Sequence, residues 1–390
     1  MSRMARLLAG AAVAPGALGT SLIASHFSGT LYSLSLATAD STGTLTVTSQ
    51  ATGCGLTPAW IELYSDTNTL YCFDESWTGS GSSAEYSIGN DGSLSLTGNL
   101  KTGGNTVHGK LYGGEDGKGF VATVEYTPST LTTYKMPVSD GEVVKLEKFT
   151  MSEAGPNPRQ DVPHPHMAQV DPTGKFILTP DLGADLVRIF KIDATTGELT
   201  ACPEGQAGAG DGPRHIEFWE SADGLQKAYV VNELGNSVSA WDVAYPEDES
   251  GCLALNITQT LSTYAPGESG GPNTKAAEVR IVDNFLYATN RADETFGSEQ
   301  DSIATYTIDP TTGELAWLEA ANSYSYYPRT FVFNKDATLL AVGGQTSSNV
   351  AIIARDPETG KLGDLVATLD VGQKGRAGQE DGLSAVVWVE

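Results

Sequence analysis

The heptapeptide Asp193-Ala-Thr-Thr-Gly-Glu-Leu199 recurs as Asp309-Pro-Thr-Thr-Gly-Glu-Leu315 and again as Asp356-Pro-Glu-Thr-Gly-Lys-Leu362. Weaker copies are Asp40-Ser-Thr-Gly-Thr-Leu45, Asn90-Asp-Gly-Ser-Leu94, Asp140-Gly-Glu-Val-Val144 and Asp248-Glu-Ser-Gly-Cys-Leu253. The closing apolar residues stand at 45, 94, 144, 199, 253, 315 and 362, so the spacing is 49, 50, 55, 54, 62 and 47 residues. Asp bonds its own downstream backbone and Gly accepts a positive φ, and together they close a hairpin. An alternating strand precedes the turn, as in Leu186-Val-Arg-Ile-Phe-Lys-Ile192 and Val350-Ala-Ile-Ile353. Another lies earlier in the unit, as in Lys227-Ala-Tyr-Val-Val231 and Leu339-Leu-Ala-Val342. Four short strands in about fifty residues describe one propeller blade. Seven units therefore predict an all-β chain, a seven-bladed β-propeller with four-stranded antiparallel blades around a central channel. The final strand, Ala385-Val-Val-Trp-Val389, is expected to share a blade with the N-terminal strands, which closes the ring and removes exposed sheet edges.

Length alone, 390 residues, would suggest two or three domains. The repeat replaces that expectation with a single domain over residues 20–390. Hydrophobic residues make up 40% of the chain, which excludes global disorder. With 23 Lys and Arg against 48 Asp and Glu, the net charge is −25. That balance repels nucleic acid and acidic membranes, and leaves a small molecule as the expected partner of a monomeric protein.

Arg3 and Arg6 precede the apolar run Leu7 to Ala14, and small residues follow, with Ala12-Val13-Ala14 or Ala17-Leu18-Gly19 as cleavage sites. Residues 1–19 thus read as a secretory signal, and a secreted, extracellular product is expected. The four cysteines lack the close pairing of a zinc site. An even count in an exported chain permits two disulfides. Cys54–Cys72 and Cys202–Cys252 are the expected pairs, since each falls within one or two neighbouring repeats. Asn256-Ile257-Thr258 is a glycosylation sequon.

With strands lettered A to D from the axis outward, the start of A and the end of B lie on one face beside the channel, and the Asp-Gly turns between C and D lie on the other. At the starts of A stand Pro58-Ala-Trp60, Val107-His108, Pro163-His164-Pro-His166, Pro213-Arg214-His215, Glu278-Val-Arg280 and Pro328-Arg329. At the ends of B stand Glu75, Glu125, Asp181, Glu233, Asn290-Arg291 and Gln345. In so acidic a chain, this gathering of histidines and arginines at one mouth points to an anion-binding centre. His166, Arg214, Glu233 and Arg291 are the expected catalytic set. His164, His215, Asp181, Asn290, Arg329 and Gln345 are the expected substrate-binding residues, with Asp181 and Asp185 also suited to bracing their loop. Trp60 can stack on a substrate, but packed core is the expected place for it.

These mouth motifs resemble a known family. His164-Pro-His166-Met-Ala-Gln-Val-Asp-Pro-Thr-Gly174, Pro180-Asp-Leu-Gly183, Gly212-Pro-Arg-His-Ile-Glu-Phe218, Val231-Asn-Glu-Leu234 and Tyr327-Pro-Arg-Thr-Phe331 are similar to the seven-bladed lactonase family. That family takes in propeller-type 6-phosphogluconolactonases and fungal 3-carboxy-cis,cis-muconate cyclases. The resemblance spans roughly residues 22 to 390 and is strongest from 160 to 365. The family's His, Arg, Glu and second Arg fall on His166, Arg214, Glu233 and Arg291. The loop from Asp293 to Gln300 departs from the family's tighter pattern after Arg291.

The resemblance implies a lactonase that hydrolyses a sugar-acid or related lactone. Arginines would hold anionic groups and the developing oxyanion, and His166 or Glu233 would take a proton from water. A muconate-cyclase-like cycloisomerase and a non-catalytic propeller that binds an anionic ligand are the alternatives. Arginines at the mouth repel a cation, so no metal is expected, and no cofactor motif is present.

Overall fold

The computed structural model describes residues 20–39 and 41–390. The expected secretory signal lies outside these residues, as does Asp40 of the first turn copy. Among the described residues the chain forms seven antiparallel sheets, one per repeat, and no helix beyond a single 3-10 turn at Val138–Asp140. The ring is a seven-bladed propeller. Blades 2 and 3 begin with strands Pro58–Tyr64 and Thr106–Tyr112, and blade 4 with the short Gln169–Val170. Blades 5, 6 and 7 begin with Pro213–Glu220, Lys275–Val282 and Pro328–Phe333. Blade 1 is composite: its innermost strand is Leu383–Val389, which pairs with Thr20–His26, followed outward by Thr30–Ala39 and Thr42–Ala51.

Burial follows strand position. Second strands are covered on both faces, so Phe120–Glu125 and Phe176–Asp181 are buried at every residue. Fourth strands, such as Thr42–Ala51, are largely open to solvent. Between neighbouring blades lies an apolar layer, and there are seven such clusters, one for each interface. The core is thus a ring of seven wedges around a channel that polar side chains fill.

The Asp-Gly turns show why their sequence recurs. Asp309 Oδ1 accepts the N–H groups of Thr311 and Thr312 at 2.8 and 2.9 Å, and Asp193 and Asp356 act alike. Gly197, Gly313 and Gly360 follow with φ of 76, 69 and 70°. Each glycine carbonyl then accepts a tyrosine hydroxyl from the preceding blade: Tyr112 to Gly197, Tyr229 to Gly313 and Tyr287 to Gly360, at 2.6, 2.7 and 2.6 Å. The turn closes its own hairpin and fastens one blade to the next. Both expected disulfides form, and both also cross a blade interface: Cys54–Cys72 joins blades 1 and 2, and Cys202–Cys252 joins blades 4 and 5.

Candidate active site

The mouth is built by an irregularity that a period-two reading misses. In six blades the innermost strand carries one extra residue near its start. The insertion falls at Ser384, Ala59, Val107, Arg214, the Ala277–Glu278 step and Arg329. Regular pleating would send Arg214 and His215 to opposite faces, whereas a bulge re-aims a side chain. Both therefore reach the channel. In blade 4 the strand is interrupted altogether, and the chain Pro163–Ala168 crosses the mouth, held by His166 N–H to the Pro180 carbonyl at 2.9 Å. That crossing requires Gly183, because a Cβ there would sit 1.9 Å from the Val162 carbonyl oxygen.

Glu233 is the electrostatic centre. Its carboxylate pairs with Arg159, with Arg291 Nη2 at 2.9 Å and with Arg214 Nε at 3.1 Å. Burial alone would raise its pKa, but Arg159, Arg291 and Arg214 hold it well below the usual carboxylate range. It is a fixed anion that spaces three guanidinium groups. Beside it, His166 Nδ1 lies 3.2 Å from His215 Nε2, and His166 Nε2 meets no hydrogen-bond partner among the described residues. Burial first, then Arg214 and His215, hold His166 well below the usual imidazole range, so it is neutral at pH 7. A cavity of about 300 Å³ opens onto His166, Glu233, Arg159 and Arg291.

A second charged group shares that cavity. Arg329 sits 3.1 Å from Glu75 and 3.7 Å from Glu380. One guanidinium faces two carboxyls, and burial together with Glu380 pushes the Glu75 carboxyl up to about 8 against the pull of Arg329. The pair therefore holds a proton at neutral pH.

The residues expected at the mouth divide by what their side chains touch. His166, Glu233, Arg291, Arg329 and Gln345 line the cavity. Arg214 lies behind Glu233, buried, with its Nη1 donating to the Ala277 carbonyl at 2.6 Å. His215 lies beneath His166. His164 stacks on Tyr126 at 4.1 Å, with Nε2 near Asp161, and braces the crossing segment. Asp181 is fully occupied: Oδ1 accepts the N–H groups of His164, Gly183 and Ala184, and Oδ2 pairs with Arg188. Asn290 donates to the Thr263 carbonyl and to Ser302 Oγ. These last three hold loops in place and do not line the cavity. Trp60 is buried, as expected, but it faces the channel with its ring 4.5 Å from His108 and 5.4 Å from His215.

The loop at Asp293–Gln300 is organised by Asp301, whose carboxylate accepts the N–H groups of Ala292, Asp293, Glu294 and Tyr327. Sequence reasoning missed Arg159, Lys275, Trp77 and Glu380, all of which line the cavity. Arg159 had a signal: it follows Pro158, as Arg214 and Arg329 follow prolines. Among the described residues no group of three or more His, Cys, Asp or Glu side chains is placed to hold a metal ion.

Comparison with known proteins agrees with this architecture. The family model described as "Lactonase, 7-bladed beta-propeller" matches residues 19–378. A probable 6-phosphogluconolactonase of Arthroderma benhamiae is 35% identical over 326 residues, covering 82% of this chain and 79% of that protein. The 6-phosphogluconolactonase of Bacillus subtilis is 27% identical over 316 residues, covering 80% and 84%. Among solved structures, a putative 6-phosphogluconolactonase of Bacteroides fragilis superposes with a TM-score of 0.77 at 22% identity, covering 96% of this chain and 98% of that one. A periplasmic gluconolactonase of Pseudomonas aeruginosa gives 0.76 at 22%, covering 95% and 99%.

Proposed function

This chain belongs to the seven-bladed β-propeller lactonase family, and from that membership we propose that it hydrolyses a sugar-acid lactone, or a close relative of one, in the cavity at the channel mouth. The observation that carries the site assignment is the neutral His166, its Nε2 without a partner among the described residues, beside arginines spaced by Glu233. Of the two candidate bases, Glu233 is committed to its arginines, and His166 has the free lone pair.

Hydrolysis then proceeds in two steps. His166 Nε2 takes a proton from water while the water oxygen bonds to the lactone carbonyl carbon, and the carbonyl π pair moves onto oxygen. Arg291, or Arg159 across from it, faces that oxyanion. The tetrahedral centre collapses, the bond to the ring oxygen breaks, and the ring oxygen takes the proton back from His166, giving the hydroxy acid. The surplus of guanidinium groups favours a substrate that carries an anionic group or many hydroxyls. Arg214 acts by fixing Glu233.

We also infer a working place outside the reducing cytosol, supported by two disulfides and by the charged, apolar, small-residue order of residues 1–19.

The test is titration at constant pH of the acid released from glucono-δ-lactone and 6-phosphoglucono-δ-lactone, followed by a wider lactone panel. Hydrolysis is expected, with kcat falling about 10²–10⁴-fold in His166→Ala and about 10²–10³-fold in Arg291→Ala. A protein inert on every lactone, or one that instead consumes the diene absorbance of a carboxy-muconate, would overturn the reading.

A further inference from the structure

Beneath the cavity, three side chains from three blades stand in line. Glu278 Oε1 lies 3.0 Å from His215 Nδ1, and His215 Nε2 lies 3.2 Å from His166 Nδ1. Glu278 and His215 are buried, away from the cavity that His166 lines. Resting on the lactonase reading above, we propose that Glu278 and His215 are positioning residues that fix the tautomer of His166, so that its Nε2 carries the lone pair that receives the proton from water.

An ionised carboxylate only accepts, so His215 must present Nδ1–H to Glu278. Glu278 is kept ionised by Arg280, 3.2 Å away, and it also accepts the Val279 N–H at 3.2 Å. Although burial would raise it, Arg280 and His215 bring the Glu278 carboxyl down to about 2. Burial pushes His215 down to about 4 against the pull of Glu278, so at pH 7 it carries only one ring proton. That proton being on Nδ1, its Nε2 is a bare acceptor.

A second, independent constraint agrees. Arg214 Nη1 approaches the same His215 Nε2 at 3.4 Å, and a guanidinium can only donate. His166 Nδ1 must therefore carry the hydrogen of the contact between the two imidazoles. A neutral imidazole with its hydrogen on Nδ1 has its lone pair on Nε2, the nitrogen with no hydrogen-bond partner among the described residues.

The relay also explains why the channel wall is polar beneath the mouth. Arg280 donates to Glu217 at 2.6 Å while it supports Glu278, so the charge of Glu278 is balanced from below. Trp60 and His108 close the remaining sides of His215, with ring centroids 5.4 and 5.7 Å away, and keep bulk water from exchanging its hydrogen-bond partners. Neither Glu278 nor His215 touches the cavity, so neither is a catalytic residue.

The decisive measurement is made on the unaltered protein: ¹⁵N spectra of the histidine-labelled, intact chain at pH 7, with His166→Gln serving only to identify the His166 signals by their loss. The expected result is a protonated Nδ1 and an unprotonated Nε2 on His166. A protonated Nε2 overturns the proposal whether or not the protein hydrolyses lactones, and an inert protein with the expected tautomer overturns the lactonase reading alone. In Glu278→Gln, whose amide can donate to His215 and reverse the relay, the Nε2–H form of His166 should gain population. With the preferred lactone, kcat should fall at least about 100-fold, as when a triad carboxylate is replaced by its amide, while KM stays within about threefold. His215→Phe, which removes the acceptor but keeps the ring, should do the same, and Glu278→Asp should recover part of the loss. Unchanged tautomer and kcat in folded Glu278→Gln would also overturn the proposal.

Discussion

Replacing Glu75 by Gln should make the protein more stable, and increasingly so as the pH rises. Glu75 is 3% exposed and shares Arg329 with Glu380, an arrangement that puts its folded-state pKa at about 8 against an ordinary 4.5. Below pH 4.5 the group is protonated in both the folded and unfolded chain and has no linkage effect. Between 4.5 and 8 the unfolded chain releases the proton while the folded chain keeps it, so stability falls by about 1.4 kcal/mol per pH unit. The full loss is roughly 5 kcal/mol above pH 8, and roughly 3 kcal/mol of it is present at pH 7. Glutamine keeps the neutral shape and has no proton to lose. Urea unfolding of both proteins with disulfides intact, at each unit from pH 4 to 9, gives the difference directly. It should be flat near pH 4, climb through the window and level off above 8. A difference that does not change with pH, or wild type gaining on the variant as pH rises, would show that Glu75 is an ordinary ionised partner of Arg329 and refute the shared-proton argument.

Three further outcomes follow from the fold and the cavity. Gly360→Ala should cost about 2–4 kcal/mol in urea unfolding, because the position has a φ of 70° and the new Cβ would stand 2.2 Å from the Phe285 ring; a change under about 0.5 kcal/mol would contradict the tightness of that turn. Removing Cys202–Cys252 as a double serine variant should lower stability by about 4 kcal/mol and removing Cys54–Cys72 by about 3, since the closed loops span 50 and 18 residues; the reverse ranking would count against the loop-entropy account. Trp77, half exposed at the cavity rim, offers a face to a sugar ring, so Trp77→Ala should raise KM for the preferred lactone about 3–10-fold with kcat nearly unchanged; an unchanged KM would place the ring outside the substrate's reach.

The fold was legible because its signal is local and repeated. Asp193, Asp309 and Asp356 cap their own turns, and nothing distant is needed to recognise the unit. Which end of each strand meets the mouth then follows from topology, and that brought His166, Arg214, Glu233, Arg291 and Arg329 into view. Side-chain duty was harder to read. His164, Asp181 and Asn290 stand at the expected end of their strands, but the loops there have N–H and C=O groups to satisfy, and the residue types that bind a substrate also cap a loop. Arg159 and Glu380 come from connections outside the repeat, Phe149–Ala168 and Val371–Gly382, where strand periodicity says nothing. The bulge that turns both Arg214 and His215 into the channel is one inserted residue in a strand, which leaves the alternating pattern nearly untouched.

The composite blade sets an order on biosynthesis. Leu383, Val386 and Trp388 belong to the apolar layer shared with blade 7, and Ala385 to the layer shared with blade 2. Two of the seven seams therefore stay unfinished until the ribosome has added the strand ending at Val389. The Glu380 and Gln379 side of the cavity arrives in the same late stretch. A nascent chain that already carries His166, Glu233 and Arg291 still has an open ring and an open pocket, and both close only when Leu383–Val389 pairs with Thr20–His26.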